Sequence, residues 1–586
     1  MELHFTPGGR ARGLAIVITA IMALFVMRLF YIQIIQHSYY VAQAENEQVK
    51  QFILHAKRGE IYDMDGDTPS ILVMNETVYT AWVDPTQVVD KQKIIDELNK
   101  VAGGNTRKDF SLYIDKKNTR YQVLASKLSR TQAEMLKKEN IAGLGFDGVS
   151  QRVYPEGQLA SQVVGFVDAE EAGKYGIEQA QNDMLKGKDG LLKTVTDVRM
   201  VPLTVGNNNI KKPAVDGKDI VLTIDRSIQA EVEKALAEGM SRSGAKRASA
   251  IVMDPETGKV LSMATLPSYD PSHLNAIPDA SVLNNGTISN PYEAGSDIKT
   301  FTVATGVDKG VITPESTYNN TGKITVADRT INNATKTAAL TGDIPMQTAL
   351  NWSLNTGMVT IAQRLGDGTQ INRTARNTIY EYFHNRFRLG QRTGIELANE
   401  AQGTVIAPED QNGNAVQYAT MSFGQGMNVT MLQVVSGFSS IINGGTYNSP
   451  SIIAGTMDSD GVLQPAAAKV RYPGVISAAS SNTVREMVHQ SHYATYNPHD
   501  NSTSYYVGGK TGTSQVIDPK TGDYSTTETI GTYLGFGGDT TGNPRYVIMV
   551  EVSGADQNLG GGTDAKPIFN TISNWMIDYL KLTPNN

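Results

Sequence analysis

Three short strings in this chain could do chemistry together: Ser296-Asp297-Ile298-Lys299, Ser353-Leu354-Asn355 and Lys510-Thr511-Gly512. Alone, each is what chance supplies in 586 residues. In this order, each in a suitable local setting, they read as the site of a serine acyl-transferase. A serine hydroxyl is a weak nucleophile at neutral pH and needs a base within hydrogen-bond reach. No histidine lies in any of the strings, so Lys299 is the candidate base for Ser296. It must be neutral to take a proton, so its pKa has to fall well below the usual value of about 10.4. Burial, a second cation at Lys510 and the start of a helix would all push it down. Ser353 is placed to relay a proton to the departing amine, and the Asn355 amide to hold a substrate peptide group. Lys510, Thr511, Gly512 and Thr513 form a candidate carboxylate-binding segment, with one charge and two hydroxyls. The backbone N–H groups of Ser296 and Thr513 are the natural oxyanion hole, each such donor being worth roughly 3 kcal/mol.

Elements must hold these groups. Asp297 to about Val307 reads as a helix after a break at Gly295, which sets Lys299 on the same face as Ser296. The third string closes a strand-like run, Ser504–Val507, and Gly508-Gly509 after it would let a ligand approach the backbone. Upstream, a helix over Ile228–Met240 precedes a hairpin, Ala248–Met253 and Val260–Met263, turning at Asp254-Pro255-Glu256-Thr257-Gly258. The apolar run Tyr546–Val550 fits a strand buried on both faces at the edge of the same sheet. A closing helix presents Ile568, Phe569, Ile572, Trp575, Met576, Tyr579 and Leu580 as core rather than as a cofactor site.

The first half carries no catalytic constellation. Gly13–Ile35 is almost wholly apolar and long enough to cross a bilayer, with Arg28 near one end beside Tyr31. Arg10 and Arg12 precede it and no Lys or Arg follows until Lys50, which predicts a cytoplasmic N-terminus and an extracytoplasmic remainder. The rival reading is a cleavable signal peptide ending at Ala42-Gln43-Ala44. The length of the apolar run favours an uncleaved anchor. Residues 38–57 read as a polar helix leaving the membrane, followed by strand-like Ile71–Val73 and Tyr79–Val83. Residues 85–150 show helical periodicity, and 206–213 have linker composition. The expected division is a tail (1–12), a transmembrane anchor (13–35), a pedestal (36–215) and a catalytic domain (216–586). The fold class is α+β: an elongated mixed pedestal, then a central antiparallel sheet flanked by helices.

Composition narrows the function classes. A net charge of -7 without basic clusters speaks against nucleic acid. The absence of cysteine removes disulfides, thiol catalysis and cysteine-ligated metals. Without a nucleotide-binding glycine pattern or a helical metal motif, no metal and no cofactor are expected.

With these residues in hand, the chain resembles the class B penicillin-binding proteins, membrane-anchored DD-transpeptidases that cross-link peptidoglycan. The resemblance extends over nearly the whole chain. It includes the anchor, Arg58-Gly59-Glu60-Ile61-Tyr62-Asp63 and Gly176-Ile177-Glu178 of the pedestal, and Leu222-Thr223-Ile224-Asp225. It also includes the three strings, Thr513-Ser514-Gln515 and Ser422-Phe423-Gly424-Gln425-Gly426. It implies acylation of Ser296 by a D-Ala-D-Ala stem peptide, mimicry of that donor by β-lactams, and a separate membrane glycosyltransferase acting with other division or elongation proteins. Thr325–Asn333 and Thr393–Glu396 lean to the division branch. The small C-terminal repeat domains of some relatives are expected to be missing.

Two departures stand out. Ala294-Gly295 precede the serine where the family usually has Pro-Gly, and Asp297 follows it where the family has a small hydroxyl residue. Neighbouring helical positions diverge by about 100°, so Asp297 is expected to point away from Lys299. Rival readings are a DD-carboxypeptidase, a β-lactamase, and a non-catalytic penicillin-binding scaffold or β-lactam sensor, the last favoured only by Asp297.

Overall fold

The computed structural model describes residues 7–40, 49–195, 210–277, 279–334, 340–494, 505–517, 523–539, 542–554 and 558–584. The chain divides into two units, one of residues 1–58 with 186–217 and one of 59–185 with 218–586.

In the first unit the helix Pro7–Phe30 continues as a π-helical turn, Tyr31–Ile35. Gly8–Ile35 is a 28-residue helix whose most apolar 18-residue stretch has mean hydropathy 2.4 and no burial, long and apolar enough to cross a membrane. The Arg28 guanidinium lies 5.6 Å from the centre of the Tyr31 ring. Within the stretch 38–57, expected to be a polar helix, Val49–Leu54 is instead a strand. It pairs antiparallel with Gly190–Val195, which also pairs with Ile210–Lys212. A distant partner strand overrides local helix propensity here. Residues 41–48 and 206–209 lie outside the described residues.

The second unit begins with a seven-stranded sheet. Ile71–Val73 and Tyr79–Val83 belong to one long strand, Thr68–Val83, which pairs with Ile61–Asp65, Gln122–Leu128 and Leu144–Val153. The helical periodicity of 85–150 is real for Lys91–Val101 and Arg130–Lys138, which bury Ile94, Leu98 and Leu136, but two strands are interleaved with them. Asp219–Asp225 runs parallel to Ile61–Asp65 and antiparallel to Ile453–Met457, so the strand just past the expected 215/216 boundary completes the sheet that Ile61–Asp65 begins.

Three pedestal strings far apart in sequence meet at one buried cation. Arg152 Nε donates to Glu178 Oε1 at 2.8 Å, and Nη1 to the Gly59 carbonyl at 2.7 Å and to Asn75 Oδ1 at 2.9 Å.

The catalytic sheet has five antiparallel strands in the order Val260–Leu266, Arg247–Met253, Pro544–Ser553, Tyr524–Gly538, Tyr506–Ile517. The apolar run Tyr546–Val550 is therefore its central strand, not its edge. Ile548 and Val550 face a core with the helices Arg226–Ser243 and Lys566–Tyr579, while Val547 and Met549 face the core of Phe301 and Phe438. Burial of both faces explains why the run is continuously apolar rather than alternating. The edges are Val260–Leu266 and Tyr506–Ile517, and the third string lies inside the latter strand rather than after a shorter run. Gly508 and Gly509 do not open the backbone to a ligand. A Cβ at either would overlap the ring of Phe536 or Tyr533, so the glycines make room for aromatic packing across the strand pair.

Candidate active site

Gly295–Ile298 forms a 3-10 turn that leads directly into the helix Lys299–Asp308. In a 3-10 turn residues three apart eclipse, which sets Ser296 and Lys299 on one side more tightly than an α-helix would. The helix is buried through Phe301, whose ring meets Phe383 and Phe387 at centroid distances of 6.4 and 5.3 Å. The wholly buried helix Met431–Ile442 lies beneath it, with Gly437 leaving room for the Phe301 ring.

Lys299 is 1 % exposed. Its Nζ donates to the Ser353 carbonyl at 2.5 Å, to Ser353 Oγ at 3.1 Å and to Asn355 Oδ1 at 2.8 Å. Burial first, then the charge of Lys510, pushes its pKa well below the ordinary lysine value. Ser353 sits at φ +57°, a left-handed conformation unusual for a residue with a side chain. That conformation turns both its carbonyl and its hydroxyl toward Lys299. Leu354 then caps the helix Asn355–Arg364, and Asn355 Nδ2 donates to the Asn332 carbonyl at 2.9 Å.

Lys510 is 3 % exposed and projects from the edge strand toward the same core as Leu534, its cross-strand partner. Its Nζ donates to the carbonyl and hydroxyl of Thr511, at 2.9 and 3.3 Å. Thr513 is exposed, and its hydroxyl accepts from the Gly561 N–H at 3.2 Å. The nucleophile turn abuts this strand: a Cβ on Gly295, at φ +58°, would stand 2.8 Å from the Thr513 carbonyl oxygen and 3.4 Å from its nitrogen. The predicted oxyanion-hole residues Ser296 and Thr513 are thus brought side by side. Asp297 does turn away from Lys299, accepting from Thr532 Oγ1 at 2.7 Å.

Several supports had no signal in the three strings. The Gly295 N–H donates to the Gly424 carbonyl at 3.1 Å, and Glu293 accepts from the Gly426 N–H at 2.7 Å and from the Tyr524 hydroxyl at 3.1 Å. Ser422–Gly426, and the Thr325–Asn333 stretch that contains Asn332, could be picked out only by resemblance, while Thr532 and Tyr524 carried no signal at all. Gly424 has φ +90°, and a Cβ there would overlap the Gly295 carbonyl oxygen. Gly424→Ala is expected to displace the nucleophile turn and slow acylation by labelled penicillin at least about tenfold, since backbone in this region and overpacking each cost roughly 1–3 kcal/mol.

Comparison with known proteins gives the same outline. The penicillin binding protein transpeptidase domain matches residues 248–574, and the penicillin-binding protein dimerisation domain matches residues 53–222. The chain belongs to the penicillin-binding protein family. It is a class B member of the cell-division type: it is 28 % identical to penicillin-binding protein PbpB of Mycobacterium tuberculosis, over 97 % of this chain and 85 % of that protein. It is 25 % identical to peptidoglycan D,D-transpeptidase FtsI of Escherichia coli, over 96 % and 90 %. Among solved structures, penicillin binding protein 3 of Mycobacterium tuberculosis complexed with aztreonam superposes with a TM-score of 0.66 at 25 % identity, covering 91 % of this chain and 98 % of that one. Penicillin binding protein 2X of Streptococcus thermophilus shares the fold, with a TM-score of 0.73 at 24 % identity over 91 % and 81 %.

Proposed function

We propose that this penicillin-binding protein is a peptidoglycan DD-transpeptidase that works through a Ser296 acyl-enzyme. The observation that carries the residue assignment is Lys299. A buried amine held by Ser353 and Asn355, one 3-10 turn from the serine and near a second cation, is a base whose proton is easily lost. Neutral Lys299 takes the Ser296 proton as Oγ attacks the carbonyl between the two D-alanines. The N–H groups of Ser296 and Thr513 receive the oxyanion. The terminal carboxylate of the donor lies against Lys510, Thr511, Gly512 and Thr513, and Asn355 holds the penultimate peptide group. Ser353 passes a proton to the leaving D-alanine amine and takes one in turn from Lys299, to which its hydroxyl is hydrogen-bonded. An amine of a neighbouring stem then attacks the ester, and the serine recovers its proton as the cross-link forms. β-Lactams enter by the same first step.

The remaining organisation is proposed with it: a pedestal over 36–215, a catalytic domain over 216–586, and a single-pass anchor at 13–35 with the N-terminus cytoplasmic, supported by Arg10 and Arg12. A separate membrane glycosyltransferase and division proteins are the expected partners. Incubating the detergent-solubilised full chain with labelled penicillin and reading intact mass should give a stable adduct that Ser296→Ala abolishes. Rapid loss of the adduct with accumulating hydrolysed drug would point to a β-lactamase. Absence of any adduct would favour the scaffold reading, for which the buried carboxylate next to Ser296 is the one supporting observation.

A further inference from the structure

Asp297 is fully buried directly beside the nucleophile Ser296. A buried carboxylate is costly unless something compensates it, and the compensation here is unequal. Oδ2 accepts from Thr532 Oγ1 at 2.7 Å, while Oδ1 is buried without a hydrogen-bond partner among the described residues. The backbone of the third string closes over the same carboxylate: a Cβ on Gly512 would stand 2.7 Å from Oδ2. Gly512 and Thr532 are cross-strand partners, and Lys510, two residues along, projects from the same face. Asp297 therefore sits between the nucleophile turn and the strand that carries Lys510.

Lys510 has its own difficulty. It is buried, and its direct hydrogen bonds go to Thr511, which is neutral. Until a donor carboxylate arrives, its charge needs an opposite charge nearby.

We propose that Asp297 is a positioning residue, the buried counter-charge that keeps Lys510 cationic in the free enzyme while its hydrogen bond to Thr532 ties the nucleophile turn to the third-string strand. This rests on the proposed Ser296 site. The groups around Asp297 support it. Burial raises its pKa to about 7, against the Thr532 hydrogen bond and the Lys510 charge, which lower it. Burial lowers Lys510 to about 8, against the Asp297 charge, which raises it. From the loop before the turn, the buried Tyr292 hydroxyl, its pKa raised first by burial, also feels Asp297 and Glu551, the cross-strand partner of Thr532. Lys299 takes its influence from Lys510 and not from Asp297.

These charge states set the sign of the effect. Below about pH 6 Asp297 carries a proton and contributes no charge, so removing the carboxylate there changes little. Above neutrality Asp297 is ionised and holds Lys510 protonated. Without it, Lys510 loses its proton at lower pH, and carboxylate-bearing ligands lose their partner sooner.

The test is the pH profile of acylation of the detergent-solubilised full chain by labelled penicillin. Asp297→Asn should match the wild type near pH 6, leave the acid limb set by Lys299 in place, and move the alkaline limb down by about one pH unit, which is about tenfold slower acylation near pH 8.5. Thr532→Val, which keeps the charge, should move that limb less. If Asp297→Asn does not fold, Asp297→Thr, uncharged and of similar size, carries the same expectation. A wild-type alkaline limb in either folded variant overturns the proposal. So does unfolding of both, which would make the residue structural. Ser296→Ala run alongside separates the cases: labelling that survives in it refutes the proposed Ser296 site itself, whereas its silence beside an unshifted Asp297→Asn profile refutes only the role of Asp297.

Discussion

Exchanging Lys299 for methionine is expected to slow acylation by labelled penicillin by roughly 10²–10⁴-fold, the range lost when a positioned general base is removed. The size of the effect comes from the surroundings. No histidine lies in the three strings, and Lys299, buried one 3-10 turn after Ser296, is held by three acceptors on Ser353 and Asn355. The pH dependence gives a second signature. A lysine whose pKa is lowered by burial and by Lys510 becomes neutral well below its ordinary range, so wild-type acylation should rise as pH climbs through that lowered value. In the methionine variant this rise should vanish, leaving a slow and nearly flat rate over the same window. Stopped-flow or quenched intact-mass kinetics between about pH 5 and pH 9 would show it. A variant that keeps both the rate and the slope would exclude Lys299 as the base. Methionine roughly conserves volume, so lost packing is a small part of the expected effect.

The largest expected effect on stability lies in the pedestal. Glu178→Ala should destabilise the protein by about 3–5 kcal/mol, because it strips the carboxylate from a buried guanidinium and leaves that charge uncompensated. The Arg152 and Glu178 side chains are 3 % and 0 % exposed, and their 2.8 Å contact is far from screening water. Arg152 also holds the Gly59 carbonyl and Asn75, so the loss should loosen three segments at once. Replacing both charges, Arg152→Met with Glu178→Leu, should recover much of the loss, since an apolar pair of similar volume can match a buried ion pair. Thermal or denaturant melts of the solubilised chain compare the three proteins. An exposed pair such as Arg130 with Glu134 serves as the control, with little or no expected effect because solvent screens it. Equal costs at the two sites would contradict the argument.

Much of this was written in local sequence because the features concerned depend on local physics. The membrane-length helix comes from a continuous apolar run. The hairpin Arg247–Leu266 and the helices Arg226–Ser243 and Lys566–Tyr579 come from periodicity and from turn residues. The three strings announced a serine acyl-transfer site because their residue types have few other joint uses. Non-local pairing was not legible. The strand Val49–Leu54 exists because Gly190–Val195 lies beside it, and Asp219–Asp225 joins strands from both halves of the sequence. Tyr546–Val550 was recognisable as doubly buried, yet only the packed sheet decided that it is central. The same limit applied at the site. The neighbours that make Lys299 a base and bury Asp297 come from positions 353, 355, 510, 512 and 532, and no local propensity records that folding brings them together. Residue types and their order name the groups that can react; folding sets their charges, because burial and through-space neighbours set a pKa and neither is encoded by adjacency along the chain.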